Sequence, residues 1–315
     1  MKKPVGLNIN FDSIRECMKL AGSDTTPDGF RDPAFHAIMD RFLALADEFK
    51  TRLTIFIIAR DLDDPANRDQ VRRWASLGHE IANHTHTHPQ NLADMPVALI
   101  RDEIERAHAK IGDVIGTAPR GFLAPMWSYG PEVAAIVREL GYEYDCSLAP
   151  SWMMVPAYWR VRTLSRGHAA MFPAWRRDLP GSLAGSSQPY LVEPSMPWRG
   201  AAPARTTRTL MLPMPLALCR FPVWHTLRLL LPGWFFRAAL RSAFRRSRGF
   251  YYIMHPADLL DPDTDLAGLP APVRHLERMA VPLAAKQVCL RETLEWLAPH
   301  SEFITMRELA ARMRD

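Results

Sequence analysis

Apolar and polar residues alternate strictly at the start of the chain. Residues 5–11 read VGLNINF, and a period of two is typical of a strand with one buried face. The apolar residues share one face of this predicted strand, whereas Asn8, Asn10 and Asp12 share the other. The pattern therefore predicts that the chain begins with a half-buried strand whose polar face ends in a carboxylate.

Helical periodicity and short apolar runs alternate over most of the remaining chain. A polar loop with three turn-forming residues follows the first strand, namely Gly22, Pro27 and Gly29. Further strands are predicted at residues 53–59, 79–85, 120–123, 209–213, 250–254 and 302–305. Helices are predicted at residues 34–49, 66–77, 97–115, 131–140, 223–244 and 281–297, with a last one from Arg307. Helices between consecutive strands imply a parallel sheet, and roughly seven or eight such strands favour a barrel.

One long segment lacks this regularity. Residues 147–205 are rich in Pro, Gly, Ser and Trp and keep no sustained period. Long irregular segments in compact domains tend to be functional or disordered. We interpret this segment as an excursion on the substrate side of the barrel.

Side chains that can bind metal or transfer protons stand at the predicted C-terminal ends of three strands. Asp12 ends the first strand, His84 the third, and His255 the strand at 250–254, while His88 follows His84 by four residues. In parallel barrels the chemistry lies at this end of the strands, and a catalytic zinc ion usually has three protein ligands. His84, His88 and Asp12 are therefore candidate ligands. A histidine-rich loop without metal, and an Asp12 that only caps a helix or loop, are the alternatives.

Five short motifs resemble those of a known family, the polysaccharide deacetylases of carbohydrate esterase family four. His84-Thr-His-Thr-His88 matches the His-[Ser/Thr]-x-x-His motif, and Asn10-Phe-Asp-Ser13 stands where the family has Thr-Phe-Asp-Asp. The other three are Gly121-Phe-Leu-Ala-Pro125, Tyr144-Asp145-Cys-Ser147 and Ile253-Met-His255-Pro. The resemblance covers most of residues 4–260, with the motifs in the family's order. It implies an α/β fold, a distorted (β/α)7-type barrel of parallel strands, as a single domain over residues 1–315.

The resemblance also implies the chemistry of the site. Asp12, His84 and His88 would hold a divalent metal ion, zinc or another ion that this ligand set suits. A carboxylate would take a proton from water and His255 would protonate the leaving amine. The predicted catalytic residues are Asp12, His255 and Asn10, and the predicted substrate-binding residues are Arg120, Pro125 and Trp127.

The first motif departs from the family because it has one acid in place of two. If Asp12 is the metal ligand, Asn10 stands in the position of the base and cannot accept a proton; if Asp12 is the base, Ser13 is a weak ligand. In addition, Leu123 replaces an arginine that orients the catalytic carboxylate in many family members. The opening residues also resemble a subgroup that removes formyl or acetyl groups from amino sugars linked to undecaprenyl phosphate. Its Asp-x-Asp spacing aligns Asn10 and Asp12 with the acidic pair, which favours Asp12 as ligand.

Residues 219–249 combine aromatic side chains with seven arginines and contain no acidic residue. The apolar part is too short and too interrupted to span a bilayer, but it fits a segment that lies on anionic lipid. The alternative is a barrel helix whose arginines extend outward from a packed apolar face. Nucleic acid is not predicted as a partner because no binding motif accompanies the charge.

The composition indicates the class of protein and its cellular location. The 315 residues are 48% hydrophobic and 23% charged, as in an ordinary globular protein. Four dispersed cysteines without a CxxC pair favour a reducing compartment. The N-terminus lacks the uninterrupted apolar run of a signal peptide, and the formal charge of +5 is moderate. We therefore predict a cytoplasmic location, with peripheral contact at the inner face of the membrane as a further hypothesis.

These observations lead to one predicted function and two alternatives. The prediction is a metal-dependent hydrolase that removes an N-acetyl or N-formyl group from an amino sugar linked to a lipid such as undecaprenyl phosphate. The first alternative is a non-catalytic carbohydrate-binding relative, because the second acid is missing. The second is a soluble deacetylase of a small metabolite.

Overall fold

A computed structural model of the protein describes residues 2–20, 29–164, 176–200, 209–269 and 278–314. Within these ranges nine strands form one sheet. The strands are Lys3–Phe11 (β1), Thr54–Ile57 (β2), Glu80–Asn83 (β3), Gly121–Phe122 (β4), Tyr144–Asp145 (β5), Tyr190–Leu191 (β6), Leu210–Met211 (β7), Tyr251–Met254 (β8) and Ser301–Ile304 (β9). Their order is β6-β7-β5-β4-β3-β2-β1-β8, and β9 also pairs with β1. Every pairing is parallel except that of β6 with β7.

Helices follow most of the strands. They are Ile14–Leu20 (α1), Ala37–Glu48 (α2), Pro65–Ser76 (α3), Val97–Ile115 (α4), Pro131–Glu139 (α5), Met154–Leu164 (α6), Leu179–Ala184 (α7), His225–Leu230 (α8), Gly233–Arg246 (α9), Leu283–Leu297 (α10) and Met306–Arg312 (α11). The apolar face of β1 packs in one buried cluster with residues of α2, α3, α9 and α10. The alternation of β1 therefore separates a helix-covered face from an inner face.

The inner face of the curled sheet encloses a second buried cluster. Phe56, Leu123, Tyr144, Leu212 and Tyr251 belong to it, and they come from strands at both ends of the sheet and from its middle. The Tyr251 hydroxyl donates a hydrogen bond to the Leu212 carbonyl at 3.1 Å, which links β8 to the end of β7. The predicted fold class, an α/β domain with a curled and mostly parallel barrel-like sheet, is thereby confirmed.

The last helix covers the N-terminal end of the strands. Met306 of α11 is fully buried in the inner cluster, and a Cβ atom on Gly6 would lie only 2.3 Å from its sulfur. The buried carboxylate of Glu80 accepts hydrogen bonds from Thr54 Oγ1 at 2.8 Å and from Tyr144 Oη at 2.7 Å. One end of the barrel is thus filled, which leaves the C-terminal end of the strands for a site.

The structure corrects several predicted elements. The helix predicted at 223–244 is two helices, because Pro232 cannot continue the first one and Leu231 before it is extended. Helix α1 lies in what was predicted as a loop, where Gly22 and Pro27 fall outside the described residues. Strands β5 and β6, of two residues each, are too short to give a period. The irregular segment contains α6, α7 and β6, while its residues 165–175 and 201–205 also lie outside the described ranges.

Candidate metal centre

Asp12, His84 and His88 converge at the C-terminal end of the strands. Asp12 is the first residue after β1, and His84 is the first residue after β3. Asp12 Oδ1 lies 3.6 Å from His84 Nε2 and 3.3 Å from His88 Nε2. The two imidazole Nε2 atoms are 3.2 Å apart. In the described part of the chain this is the one group of three such side chains that could hold a metal ion.

The tight loop after β3 brings the two histidines to the same place. Thr85 and His88 both have positive φ, 66° and 61°, a conformation that non-glycine residues seldom adopt. Asn83 Oδ1 accepts from Thr85 N at 2.7 Å. Glu103 of α4 accepts from the backbone N–H groups of the next two residues, at 3.0 and 2.8 Å. These bonds hold the loop in the shape that brings His84 and His88 together.

Neighbouring acceptors define which ring nitrogens are available. His84 Nδ1 lies 2.6 Å from the Leu123 carbonyl oxygen, and since a carbonyl only accepts, this nitrogen donates. His88 Nδ1 lies 3.1 Å from the Glu16 carboxylate, which also accepts. Both Nε2 atoms can then present lone pairs to the space beside Asp12, as metal ligation requires.

The arrangement fits a divalent cation. Asp12 Oδ1 is buried, and within the described residues it faces the two imidazole Nε2 atoms without a hydrogen bond from any other group. The three donor separations, 3.2, 3.3 and 3.6 Å, are close to the edge of about 3.3 Å expected when donors lie about 2.0–2.1 Å from one tetrahedral ion. Two imidazoles and a carboxylate suit zinc, and they also suit other divalent ions.

Without a cation, the three groups strongly perturb one another's protonation. Burial alone would raise the pKa of Asp12, but the charge of His88 and hydrogen bonds from both histidines hold it well below its ordinary value. Burial alone would lower the pKa of His88, but Asp12 and Glu16 raise it to about 9. Burial lowers the pKa of His84. At neutral pH the site without metal therefore holds a proton on His88.

Asn10 and Ser13 supply no second carboxylate. Asn10 is buried, and its Oδ1 accepts from Asn8 Nδ2 at 2.8 Å. Ser13 is also buried, and its Oγ accepts from Glu16 N at 3.4 Å at the start of α1. The departure of the first motif from the family pattern thus persists in the structure, where Asp12 alone contributes a carboxylate to the cluster.

His255 lies beside the cluster, directly after β8. Its charge is one of the smaller effects that lower the pKa of Asp12, after those of His84 and His88. The His255 backbone N–H donates to Asp258 Oδ2 at 2.8 Å, and the ring Nδ1 lies 3.9 Å from the same oxygen. Burial would raise the pKa of Asp258, yet the hydrogen bond from His255 and nearby positive charges bring it down to about 2. Asp258 is therefore a fixed negative charge next to His255.

The three predicted substrate-binding residues separate into two groups. Pro125 and Trp127 follow β4 at the same end of the sheet as the cluster, and Trp127 packs against Trp224 with ring centroids 5.9 Å apart. Arg176 holds this turn by donating to the Met126 and Trp127 carbonyls at 2.8 and 3.0 Å. Arg120 instead precedes β4 and is exposed at the opposite end of the strands. The structure therefore does not bring Arg120 to the candidate site.

Several residues that shape the site gave no recognisable signal in the sequence. They are Glu16, Gln90 and Glu103 around the histidine loop, the Leu123 carbonyl, and Asp258. A main-chain carbonyl has no signature in a sequence, and the acids are ordinary surface residues by type. Only Asp258, three residues after His255, has a spacing that could have been noticed.

Comparisons with known proteins agree with this fold. The sequence profile of the family described as polysaccharide deacetylase matches residues 24–144. This part of the chain, 121 of the 315 residues, is similar to the polysaccharide deacetylase family. The matched part contains His84, His88 and the turn at 125–127, whereas Asp12 and His255 lie outside it.

Individual relatives of the family are distant. A peptidoglycan deacetylase from Helicobacter pylori is 24% identical over 159 residues, which cover 50% of this chain and 53% of the relative. The match thus spans about half of the length of that peptidoglycan deacetylase.

Two crystal structures assigned to polysaccharide deacetylases share the fold. One from Mycobacterium smegmatis has a TM-score of 0.59 at 16% identity and covers 99% of this chain and 90% of its own. One from Pseudomonas aeruginosa has a TM-score of 0.52 at 17% identity, with 89% and 73% covered.

Proposed function

We propose that this protein is a metal-dependent hydrolase that removes an acetyl or formyl group from an N-acylated amino sugar. The observation that carries the proposal is the convergence of Asp12 Oδ1, His84 Nε2 and His88 Nε2 beside His255. The similarity of residues 24–144 to polysaccharide deacetylases supports a carbohydrate amide as the substrate class.

In this proposal the chain positions the metal and moves the protons. A bound divalent ion would lower the pKa of water and polarise the amide carbonyl. Asp12, His84 and His88 would hold it, with His84 oriented by the Leu123 carbonyl. The C–N bond breaks, the water oxygen joins the acyl carbon, and the amine leaves with a proton.

His255 is the residue we assign to proton transfer. The Asn10 amide cannot take a proton from water, and Asp12 is committed to the metal. His255 Nδ1 is buried on the side of Asp258. Nε2 is therefore the ring nitrogen that can exchange a proton with the water and the leaving amine. His255 would take the proton of the attacking water and then deliver it to the leaving amine.

The test is release of acetate or formate from N-acylated amino sugars, free and polyprenyl-phosphate linked, with zinc and with a chelator. We expect zinc-dependent release by the wild type and none by His84→Ala. His255→Ala should lower the rate about 10²–10⁴-fold, the usual range for a general acid–base group. His86→Ala is the matched control, because His86 lies in the same loop outside the cluster. No release by the wild type with any divalent metal would refute the proposal.

A second candidate function is sugar binding without hydrolysis, and Asn10 is the observation that favours it. An amide in the position of the base leaves one histidine to serve both proton transfers. If wild-type protein binds zinc and an N-acylated amino sugar but releases no acid, this second function replaces the first.

We further propose that the substrate is carried on a lipid and that the segment at 219–249, together with the adjoining Leu218, contacts the membrane. Its inner side packs on the barrel through buried Phe236 and Leu240, so part of the segment is an ordinary covering helix. An exposed apolar surface remains at its outer side, which we define as the aromatic surface: Leu218, Leu230, Trp234 and Phe235. Among the described helices, none is both long and apolar enough to cross a bilayer. Peripheral contact is the mode that this surface fits.

Charge supports an anionic partner for the aromatic surface. Trp234 is 70% exposed, and exposed arginines follow on the same helix and just beyond it, at positions 237, 241, 245, 246 and 248. Aromatic side chains next to arginines favour an interface with anionic headgroups.

Vesicle sedimentation tests this part of the proposal. The wild type should bind vesicles that contain anionic phosphatidylglycerol more strongly than neutral phosphatidylcholine vesicles, and salt should weaken the binding. A Trp234→Ala and Phe235→Ala double variant should lose most of the binding. Leu77→Ala is the control, because Leu77 is similarly exposed on α3's far end. Equal, weak binding to both vesicles would favour a soluble small-molecule substrate instead.

A further inference from the structure

We infer that Glu16 is a positioning residue of the metal centre and supplies the second negative charge that the first motif lacks at Ser13. This inference rests on the metal-dependent function proposed above. It concerns how His88 is held and which of its ring nitrogens faces the metal.

Two neighbours compete for the outer nitrogen of His88. Glu16 Oε1 lies 3.1 Å from His88 Nδ1, and Gln90 Nε2 lies 2.9 Å from the same atom. If Gln90 donates to Nδ1, the neutral ring carries its proton on Nε2, which then cannot bind metal. If Nδ1 donates to Glu16, the lone pair lies on Nε2 and faces Asp12. The Glu16 charge favours the second tautomer, because a charged acceptor makes a stronger hydrogen bond than a neutral one.

Glu16 is fixed in this place by several independent contacts. Its side chain is fully buried, and Oε2 accepts from Arg60 at 3.2 Å. Glu16 lies in α1, and the Asp32 carboxylate fixes the N-terminus of this helix. It accepts hydrogen bonds from Ile14 N at 3.2 Å and from Arg15 N at 2.9 Å. A carboxylate held behind a ligating imidazole is the usual way to orient such a ligand.

The charge of the site also depends on Glu16. A divalent ion with one carboxylate and two neutral imidazoles would leave one uncompensated positive charge in a buried place, which is unfavourable. Glu16 provides a second negative charge next to the ion, and its partner Arg60 is itself close to a further carboxylate, that of Asp61 at 3.7 Å. The family pattern places a second acid beside Asp12, at the position of Ser13. Here Glu16, about one helical turn further along α1, supplies the second negative charge from a different position.

A purely structural role for Glu16 predicts different behaviour. In that case Glu16 would only pair with Arg60, and its loss would lower stability without changing metal affinity. Two variants separate the positioning role from the structural role. Arg60→Gln removes the partner of Glu16, and Gln90→Met removes the competing neighbour of His88. Both variants keep the Glu16–His88 contact.

The experiment is zinc affinity by chelator competition at one pH, on the full chain, for wild type, Glu16→Gln, Arg60→Gln and Gln90→Met. Glu16→Gln should bind zinc about 10–100-fold more weakly, as measured for other residues that orient metal ligands. Gln90→Met should bind at least as tightly as wild type, because it removes the competing donor. Circular dichroism and thermal unfolding of the metal-free proteins establish that each variant is folded.

Each outcome of the zinc-affinity measurement either supports or overturns the role assigned to Glu16. Zinc affinity in Glu16→Gln equal to that of the wild type would overturn the inference. Wild type that binds no zinc would instead overturn the proposed function itself. Should Glu16→Gln not fold, Glu16→Asp keeps the charge but withdraws the carboxylate from His88, and it should still weaken zinc binding; unchanged affinity in that variant would also overturn the inference.

Discussion

Asn10 is the single residue that most separates this site from an active acid pair. Its Oδ1 already accepts a hydrogen bond from Asn8, so an aspartate at the same position would keep that bond and make it charge-assisted. We predict that Asn10→Asp folds and raises kcat at least about tenfold, because a general base commonly contributes about 10²–10⁴-fold. Measured kcat with saturating zinc checks this. A rate that stays equal to the wild type would mean that His255 does not need a partner base.

Ser13→Asp is the matched change at the other motif position, and we predict the opposite result. Ser13 is fully buried and its hydroxyl lowers the pKa of the buried carboxyl of Asp61 through a hydrogen bond, while burial raises it. A second carboxylate there would face Asp61, and the neighbouring cation Arg60 is already shared between Asp61 and Glu16. Thermal unfolding should show a clear loss of stability, with no gain in rate. A stable and more active Ser13→Asp protein would contradict the assignment of Ser13 to the support of α1.

His88 makes metal binding and metal-free stability respond to pH in opposite directions. Asp12 and Glu16 overcome the effect of burial and raise the pKa of His88 to about 9, from 6.5. Zinc must displace this proton, so apparent affinity should rise up to about tenfold per pH unit until about pH 9. The stability that charged His88 gives the metal-free fold is complete below about pH 6.5 and lost as pH rises through about 9. Calorimetry in buffers of different ionisation enthalpy should detect about one proton released per zinc at neutral pH; no release would contradict this account.

At the scale of elements, the histidine loop depends on one side chain of α4. Glu103→Ala would leave two backbone N–H groups of the loop without acceptors. Each such loss destabilises by about 1–3 kcal/mol, and we predict both lower unfolding free energy and weaker zinc binding. Glu103→Gln should stay close to wild type, because its amide oxygen can accept from both N–H groups. Chemical denaturation and zinc titration measure the two effects, and an undisturbed Glu103→Ala protein would show that the loop holds its shape unaided.

Elements were predictable where a periodic pattern was long enough to see. The seven-residue alternation of β1 and the 19-residue helix α4 gave clear signals. Strand β5 has two residues and cannot show a period. Helix α1 is stabilised from outside, by the Asp32 carboxylate at its N-terminus, so its own sequence gave no sign of it. Pro232 indicates a break between α8 and α9. One helix was nevertheless predicted there, because the apolar pattern continues across the proline.

At the scale of the whole molecule, the buried packing of α11 and the candidate metal centre lie at opposite ends of the barrel. Met306 of α11 is fully buried at the N-terminal end of the strands. Met306→Ala should lower the unfolding free energy by about 2–5 kcal/mol and leave zinc affinity of the folded protein unchanged. Met196→Ala is the control, since Met196 is half exposed. A change in zinc affinity would show that the two ends are coupled.

The same geometry explains how far the site could be predicted. Asp12, His84 and His255 were found because parallel strands end together, and the structure brings them to one place. Arg120 was predicted to bind substrate together with Pro125, yet the short strand between them puts the two residues at opposite ends. Glu16 and Leu123 act through contacts that depend on the closed fold, which no local pattern contains.

The most direct test of the account is the zinc content of the purified chain after loading and removal of free metal. Elemental analysis should find one zinc per chain in the wild type and in His86→Ala, and essentially none in His84→Ala and Asp12→Asn. Equal zinc in all four proteins, or none in the wild type, would contradict the assignment of Asp12, His84 and His88 as the metal centre.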